Sequence, residues 1–165
     1  MVKRTILALL CGLVSNAFAL QADRSAPVHV HAEAASLNQH THRGVYSGHV
    51  ILDQGSTHLR ADHAITDGDN HNQLVLATIH GSQHQQAHVW TTQSMDKPPL
   101  HAYADTIRYF PMQHRIELQG HARLIQGAHS FSAPIIRYDT RNQHVTTEQH
   151  GHERTAIVIQ PPSHE

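Results

Sequence analysis

Two stretches of the chain align without a gap. Gly44-Val45-Tyr46-Ser47-Gly48-His49-Val50-Ile51-Leu52-Asp53-Gln54-Gly55 sits opposite Ile116-Glu117-Leu118-Gln119-Gly120-His121-Ala122-Arg123-Leu124-Ile125-Gln126-Gly127, at an offset of 72 positions from Gly48 to Gly120. The same offset lays Ala32-Glu33 on Ala104-Asp105, His42-Arg43 on His114-Arg115, and Leu59 and Ala61 on Phe131 and Ala133. A shorter echo sets Ile107-Arg108-Tyr109 against Ile136-Arg137-Tyr138. A unit of about 40 residues is thus duplicated, which marks a repeat architecture.

Each unit reads as β. Apolar residues alternate in Val28/Val30/Ala32, in Tyr46/Val50/Leu52 and in Leu118/Ala122/Leu124, and no stretch holds a helical apolar period for three turns. Turn signals recur at Asn38-Gln39, Asp53-Gln54-Gly55, Asp67-Gly68-Asp69-Asn70, Lys97-Pro98-Pro99, Gln126-Gly127 and Arg141-Asn142-Gln143. Short strands so divided predict an all-β sandwich, barrel or jelly roll. Aromatic residues make up only 5% of the chain, and alternating positions hold small residues at Ala61, Ala102, Ala122 and Ala133. They fit either an ordinary thin core or a core left partly open for a ligand.

The N-terminus has the layout of a secretory signal. Lys3 and Arg4 precede the apolar run Ile6 to Val14, and Ala17-Phe18-Ala19 supplies a small-x-small cleavage pattern. The run is shorter than the roughly 20 residues that span a bilayer. We expect residues 1–19 to be a cleaved signal peptide, 20–160 a single all-β domain, and 161–165 a flexible C-terminal tail. Cys11 is removed with the signal, and Leu10 before it is unlike the small residue a lipoprotein site requires. Without Lys3 and Arg4, the twelve basic residues fall to ten against thirteen acidic ones, a net charge of −3 that gives no reason to expect nucleic-acid binding.

The 19 histidines invite a metal reading. His29-Val30-His31 and His40-Thr41-His42 place pairs at i and i+2, which share a face of a strand; His84 with His88 and His150-Gly151-His152 add further pairs. No fixed spacing leads to a third and fourth ligand, and histidine as a polar filler of exposed strand positions is the simpler account. A histidine-rich periplasmic metal-buffering protein is the alternative reading. Asp67-Gly68-Asp69-Asn70 opens like a calcium loop, but Thr78 stands where a bidentate glutamate belongs, so a hairpin turn is expected. No Gly-x-Ser-x-Gly or glycine-rich phosphate loop occurs, and we expect no enzyme activity.

Several motifs in order carry a resemblance. Pro27-Val28-His29-Val30-His31-Ala32-Glu33, Ser36-Leu37-Asn38, Tyr46-Ser47-Gly48-His49-Val50 with Gln54-Gly55, and Leu59-Arg60-Ala61-Asp62 form the first set. Tyr103-Ala104-Asp105, Ile116 to Ala122 and Phe131-Ser132-Ala133 form the second. Together they resemble the LptA family of periplasmic lipopolysaccharide-transport proteins, the OstA-like fold that LptC and the N-terminal part of LptD share. The resemblance runs from about Pro27 to Gln160. It implies a twisted β-jellyroll open at both ends, whose apolar groove holds the acyl chains of lipid A. It also implies head-to-tail self-association, LptC as inner-membrane partner and the LptD–LptE complex as outer-membrane partner. No cofactor or ATP site is implied, because the energy comes from an inner-membrane ATPase. The family's N-terminal groove residues carry over to Val28 and Val30. A further groove position falls on Val89 within Ala87-His88-Val89-Trp90, with Trp90 as its alternative. The chain is longer between Gly81 and Ala104 than the family pattern, and the Gly-x-Pro-Ala element after Gly81 is degenerate.

Period-2 alternation adds Val50, Leu52, Leu59 and Ala61 to the inward-facing set, with His29 and His31 facing out. Thr155-Ala156-Ile157-Val158-Ile159 before Pro161-Pro162 predicts a half-buried terminal strand, available to pair with the first strand of another copy.

Overall fold

The computed structural model describes residues 26–71, 73–148 and 154–159. The expected signal peptide, His150, His152 and the double proline lie outside the described residues. Twelve strands follow in order. The first six are β1 (His29–His31), β2 (Ala34–Asn38), β3 (Arg43–Gln54), β4 (Thr57–Gly68), β5 (Leu74–His80) and β6 (Ala87–Thr91). The others are β7 (Leu100–Ala104), β8 (Thr106–Phe110), β9 (Arg115–Gln126), β10 (His129–Asp139), β11 (His144–Glu148) and β12 (Ala156–Val158).

Four of them, β3, β4, β9 and β10, are long enough to belong to two sheets. Sheet I contains β2, the first half of β3, the second half of β4, β5, β8, the first half of β9, the second half of β10, and β11. Sheet II contains β1, the other halves of the same four strands, β6, β7 and β12. All pairings are antiparallel, and the two sheets face each other as a β-jellyroll.

The crossing point lies at the repeated Gly-His pair. Gly48 and His49 have φ of 76° and 45°, and Gly120 and His121 have φ of 79° and 46°. Glycine takes this left-handed region without a Cβ penalty. Pairing runs from Ser47 with His63 to Val50 with Ala61, so Gly48-His49 bulges opposite Asp62. It runs likewise from Gln119 with Ile135 to Ala122 with Ala133, so Gly120-His121 bulges opposite Pro134. A proline is tolerated inside β10 because the ladder is already interrupted there. A bulge bends its strand and sharpens the twist, which turns each long strand from one sheet into the other. Each bulge is tied down by the same acidic position. The Glu33 and Asp105 amides donate to the Gly48 and Gly120 carbonyls, each at 3.0 Å. Their carboxylates meet His49 Nδ1 at 2.5 Å and His121 Nδ1 at 2.8 Å. The 72-residue repeat is therefore a repeat of structure.

Apolar residues line up across the strands. The inner row of sheet I reads Tyr46, Ala64, Ile79, Ile107, Leu118, Ile136, and that of sheet II reads Val30, Leu52, Leu59, Val89, Ala102, Leu124, Phe131, Ile157. Ile107, Leu118, Leu124, Ile136 and Val50 are the largest fully buried side chains. The core thus concentrates in the second repeat. The Ile107 and Ile136 echo is explained by the register, since both flank Leu118 from opposite sides.

Of the two readings of the small residues, Ala102, Ala122 and Ala133 follow the ordinary one, since they are buried in the packed core. The terminal strand, expected to be half-buried, pairs with β10, and Ile157, Val158 and Ile159 are all exposed. As the outermost strand of sheet II, β12 has no neighbour on its far side among the described residues.

Candidate functional site

Between the inner faces of the two sheets, mostly in the first repeat and reaching into the second, lies a cavity of about 770 Å³. Sheet II contributes Val28, Val30, Val50, Leu52, Leu59 and Val89 to its wall. The opposing wall from sheet I includes Leu37, Tyr46, Ala64, Ile79, Ile107 and Tyr109. Six of the seven groove residues chosen from the sequence are therefore brought together. Ala61 is not among the lining residues; it is half-buried against the core cluster. His29 and His31 are exposed on either side of Val30.

Val89 rather than Trp90 faces the cavity. Val89 pairs with Leu59, whereas Trp90 pairs with His58 in an outward row. On that outer face rings stack in a ladder: His58 on Trp90 at 5.1 Å, Trp90 on His88 at 4.6 Å, and His88 on Tyr103 at 4.1 Å. Arg60 lies 5.5 Å from the Trp90 ring and Arg123 lies 5.1 Å from Tyr103. Burial in this stack, then the nearby His101 and Arg60, push the His88 pKa from 6.5 down to about 4.

The sheet I wall was missing from the sequence reading, and so was the mouth. One lip, at the free end of sheet I, carries His42, Arg43, His114 and Arg141. The other, at the free end of sheet II, carries the uncharged Gln54, Thr57, Thr91 and Gln93. The His42-Arg43 and His114-Arg115 match was a signal for the first lip. His42 and His114 both take left-handed φ, at 53° and 51°. Their carbonyls accept from Gly68 N at 2.8 Å and Thr140 N at 2.7 Å, so one turn is built twice.

Over the second repeat the mouth is bridged. Gln93 Nε2 donates to the Tyr138 hydroxyl at 2.8 Å, and Lys97 Nζ donates to Gln143 Oε1 at 2.9 Å. Both donors belong to the β6–β7 connection, within the segment that exceeds the family pattern. Among the described residues, no three His, Cys, Asp or Glu side chains converge on a point that would hold a metal. What the site offers is apolar area in an open trough. Each methylene placed there is worth about 0.8 kcal/mol.

Comparison with known proteins places this geometry. A family described as "LptA/(LptD N-terminal domain) LPS transport protein" matches residues 29–144. The chain is 34% identical over 129 residues to the lipopolysaccharide export system protein LptH of Pseudomonas aeruginosa, covering 78% of this chain and 72% of that protein. The fold matches the crystal structure of LptH, the LptA homologous periplasmic component of the conserved lipopolysaccharide transport device of Pseudomonas aeruginosa. The TM-score is 0.76 at 31% identity, covering 85% of this chain and 99% of that one. By sequence and by fold alike, the chain belongs to the LptA/LptD N-terminal family of lipopolysaccharide-transport proteins.

Proposed function

We propose that this chain is a periplasmic carrier that holds the acyl chains of lipopolysaccharide between its sheets and passes them along a head-to-tail bridge. The open apolar cavity of the first repeat is the observation that carries this reading. Residues 1–19, read as a cleaved signal peptide, support export to the periplasm. The two ends of the jellyroll would engage LptC at the inner membrane, further copies of the chain, and the LptD–LptE complex at the outer membrane.

The joint between the two repeats supports the bridging geometry and gives it a register. β5 and β6 close the first repeat, pairing with β8 and β7 of the second. β11 and β12 stand in the same places at the end of the second repeat. Val145 lies beside Tyr138 as Ala77 lies beside Thr66, and Ile157 lies beside Phe131 as Val89 lies beside Leu59. β2 and β1 are likewise the first-repeat equivalents of β8 and β7. Both ends expose apolar side chains: Val28 and Leu37 at one, Ile157 and Val158 at the other. Copying the internal joint between molecules pairs Val145 with Leu37, and Ile157 with Val30, of the next copy. Edge strands that continue one another in this way do not close, so they build filaments.

Two measurements test the proposal. A photo-crosslinker at position 28 or 30 should capture lipopolysaccharide, and one at 29 or 31 should not; equal capture at both parities would remove the groove. Oxidising a Val30→Cys, Ile157→Cys double variant should give a ladder of linked copies. A His29→Cys, Ile157→Cys pair should not, because a one-residue slip turns every side chain to the other face.

A further inference from the structure

The charge around the cavity is one-sided. Its described lining contains no acidic residue, and its basic and histidine side chains all stand on the sheet I lip. Arg43 on that lip is paired with Asp67 at 3.3 Å. Arg141 is different. Among the described residues it has no carboxylate within ion-pair distance, and its Nη2 donates to His114 Nε2 at 2.7 Å. The neighbouring Asp139 is already engaged: its Oδ1 accepts from the Arg141 and Asn142 amides at 2.9 and 2.8 Å, and its Oδ2 accepts from the Asn142 side chain at 2.9 Å. Those bonds hold the turn after β10 and fix the direction in which Arg141 leaves it.

The contact also sets the His114 tautomer. A guanidinium only donates, so Nε2 must accept and the ring proton sits on Nδ1. Arg141 keeps further N–H donors in a planar fork, the geometry that matches a phosphate. Such a cation at the rim of an apolar trough suits an amphiphile with an anionic head.

We propose that Arg141 and His114 form a phosphate subsite at the sheet I lip, which receives the phosphorylated headgroup of an amphiphile whose acyl chains lie in the cavity. This rests on the carrier reading and adds a polarity to it: the head lies toward the β10–β11 turn, and the uncharged sheet II lip faces its sugar or solvent side.

The test compares three probes on the full mature chain: lipopolysaccharide, the same lipopolysaccharide stripped of phosphate by hydrofluoric acid, and inorganic phosphate. The native chain should bind the intact lipid about tenfold more tightly than the stripped one, the scale of one charge-assisted contact. Arg141→Gln should abolish that preference, and His114→Gln should reduce it in part. Arg123→Gln, which removes an equal charge from the outer face, should leave the preference intact. Equal binding of intact and stripped lipid by the native chain would overturn the subsite and leave the carrier reading standing. Binding of neither lipid would overturn both. Inorganic phosphate binding as tightly as the intact lipid would make this a site for free phosphate and overturn the headgroup assignment.

Discussion

Tyr46 and Leu118 occupy the same place in their respective repeats, yet Leu118 is wholly buried while Tyr46 is half-buried and lines an open cavity. The same contrast separates the equivalent pair Leu52, half-buried on the cavity wall, and Leu124, fully buried. Part of it is composition, since the second repeat puts Ile136 where the first has Ala64. Most of it is neighbourhood. β8 is paired on both flanks, by β5 and β9, whereas its counterpart β2 pairs only with β3 among the described residues. β7 is held between β6 and β9, and its counterpart β1 pairs only with β3 among the described residues. One pattern of alternation thus yields a packed core where strands continue on both sides and an open trough where they stop.

The largest expected effect tests that contrast directly. Leu118→Ala should cost about 3 kcal/mol of folding stability, as large-to-small changes in tight cores do. Tyr46→Ala should cost about half as much, because half-buried sites relax into solvent, but it should weaken lipid binding. Equal shifts in urea midpoint would mean that the first repeat is packed as tightly as the second.

The bulges give a smaller effect and should behave alike. A Cβ on Gly48 would run into the Glu33 carboxylate, and one on Gly120 into Asp105. With the left-handed backbone added, Gly48→Ala and Gly120→Ala should each cost about 1–2 kcal/mol. Thermal melts that separate the two by more than a few degrees would show that only one bulge is needed for the fold.

The smallest effect concerns the strands that join the repeats. His88 on β6 is held near pKa 4, and burial followed by His63 and Arg108 lowers His80 on β5 in the same direction. Between the unfolded value of 6.5 and about 4, the unfolded chain takes up a proton that folded His88 refuses. Stability should therefore fall as pH drops through that window, by about a few degrees in Tm. His88→Gln should flatten the profile. A melt series in which the variant tracks the native protein would free the joint from this role.

Much of this could be read from the residues alone. The duplication, the all-β class and the inward parity of Val30, Val50, Leu52 and Leu59 follow from alternation and from one repeated motif. Reading stopped at Ala61 for a physical reason. Across from a bulge the shorter strand slips parity: Leu59 and Ala61 face in, but so do Ala64 and Thr66 after Asp62. Period 2 carried past that point would have turned His63 and Ile65 inward instead. Val89 against Trp90 depended on register with β4, which no local pattern encodes. Arg141 looked like an ordinary turn residue. Its importance comes from His114, which lies 27 positions away in the chain.

The Gly-His bulges also determine how the molecule can breathe. Because four strands run through both sheets, the sheets cannot slide past one another. They can only open and shut, like covers sharing a spine. The second repeat is clasped at its free edge by the Gln93–Tyr138 and Lys97–Gln143 bonds. A guest entering the trough would widen it against the hold of these two bonds. Opening would then be unequal along the molecule, greatest where the two bonds do not tie the sheets.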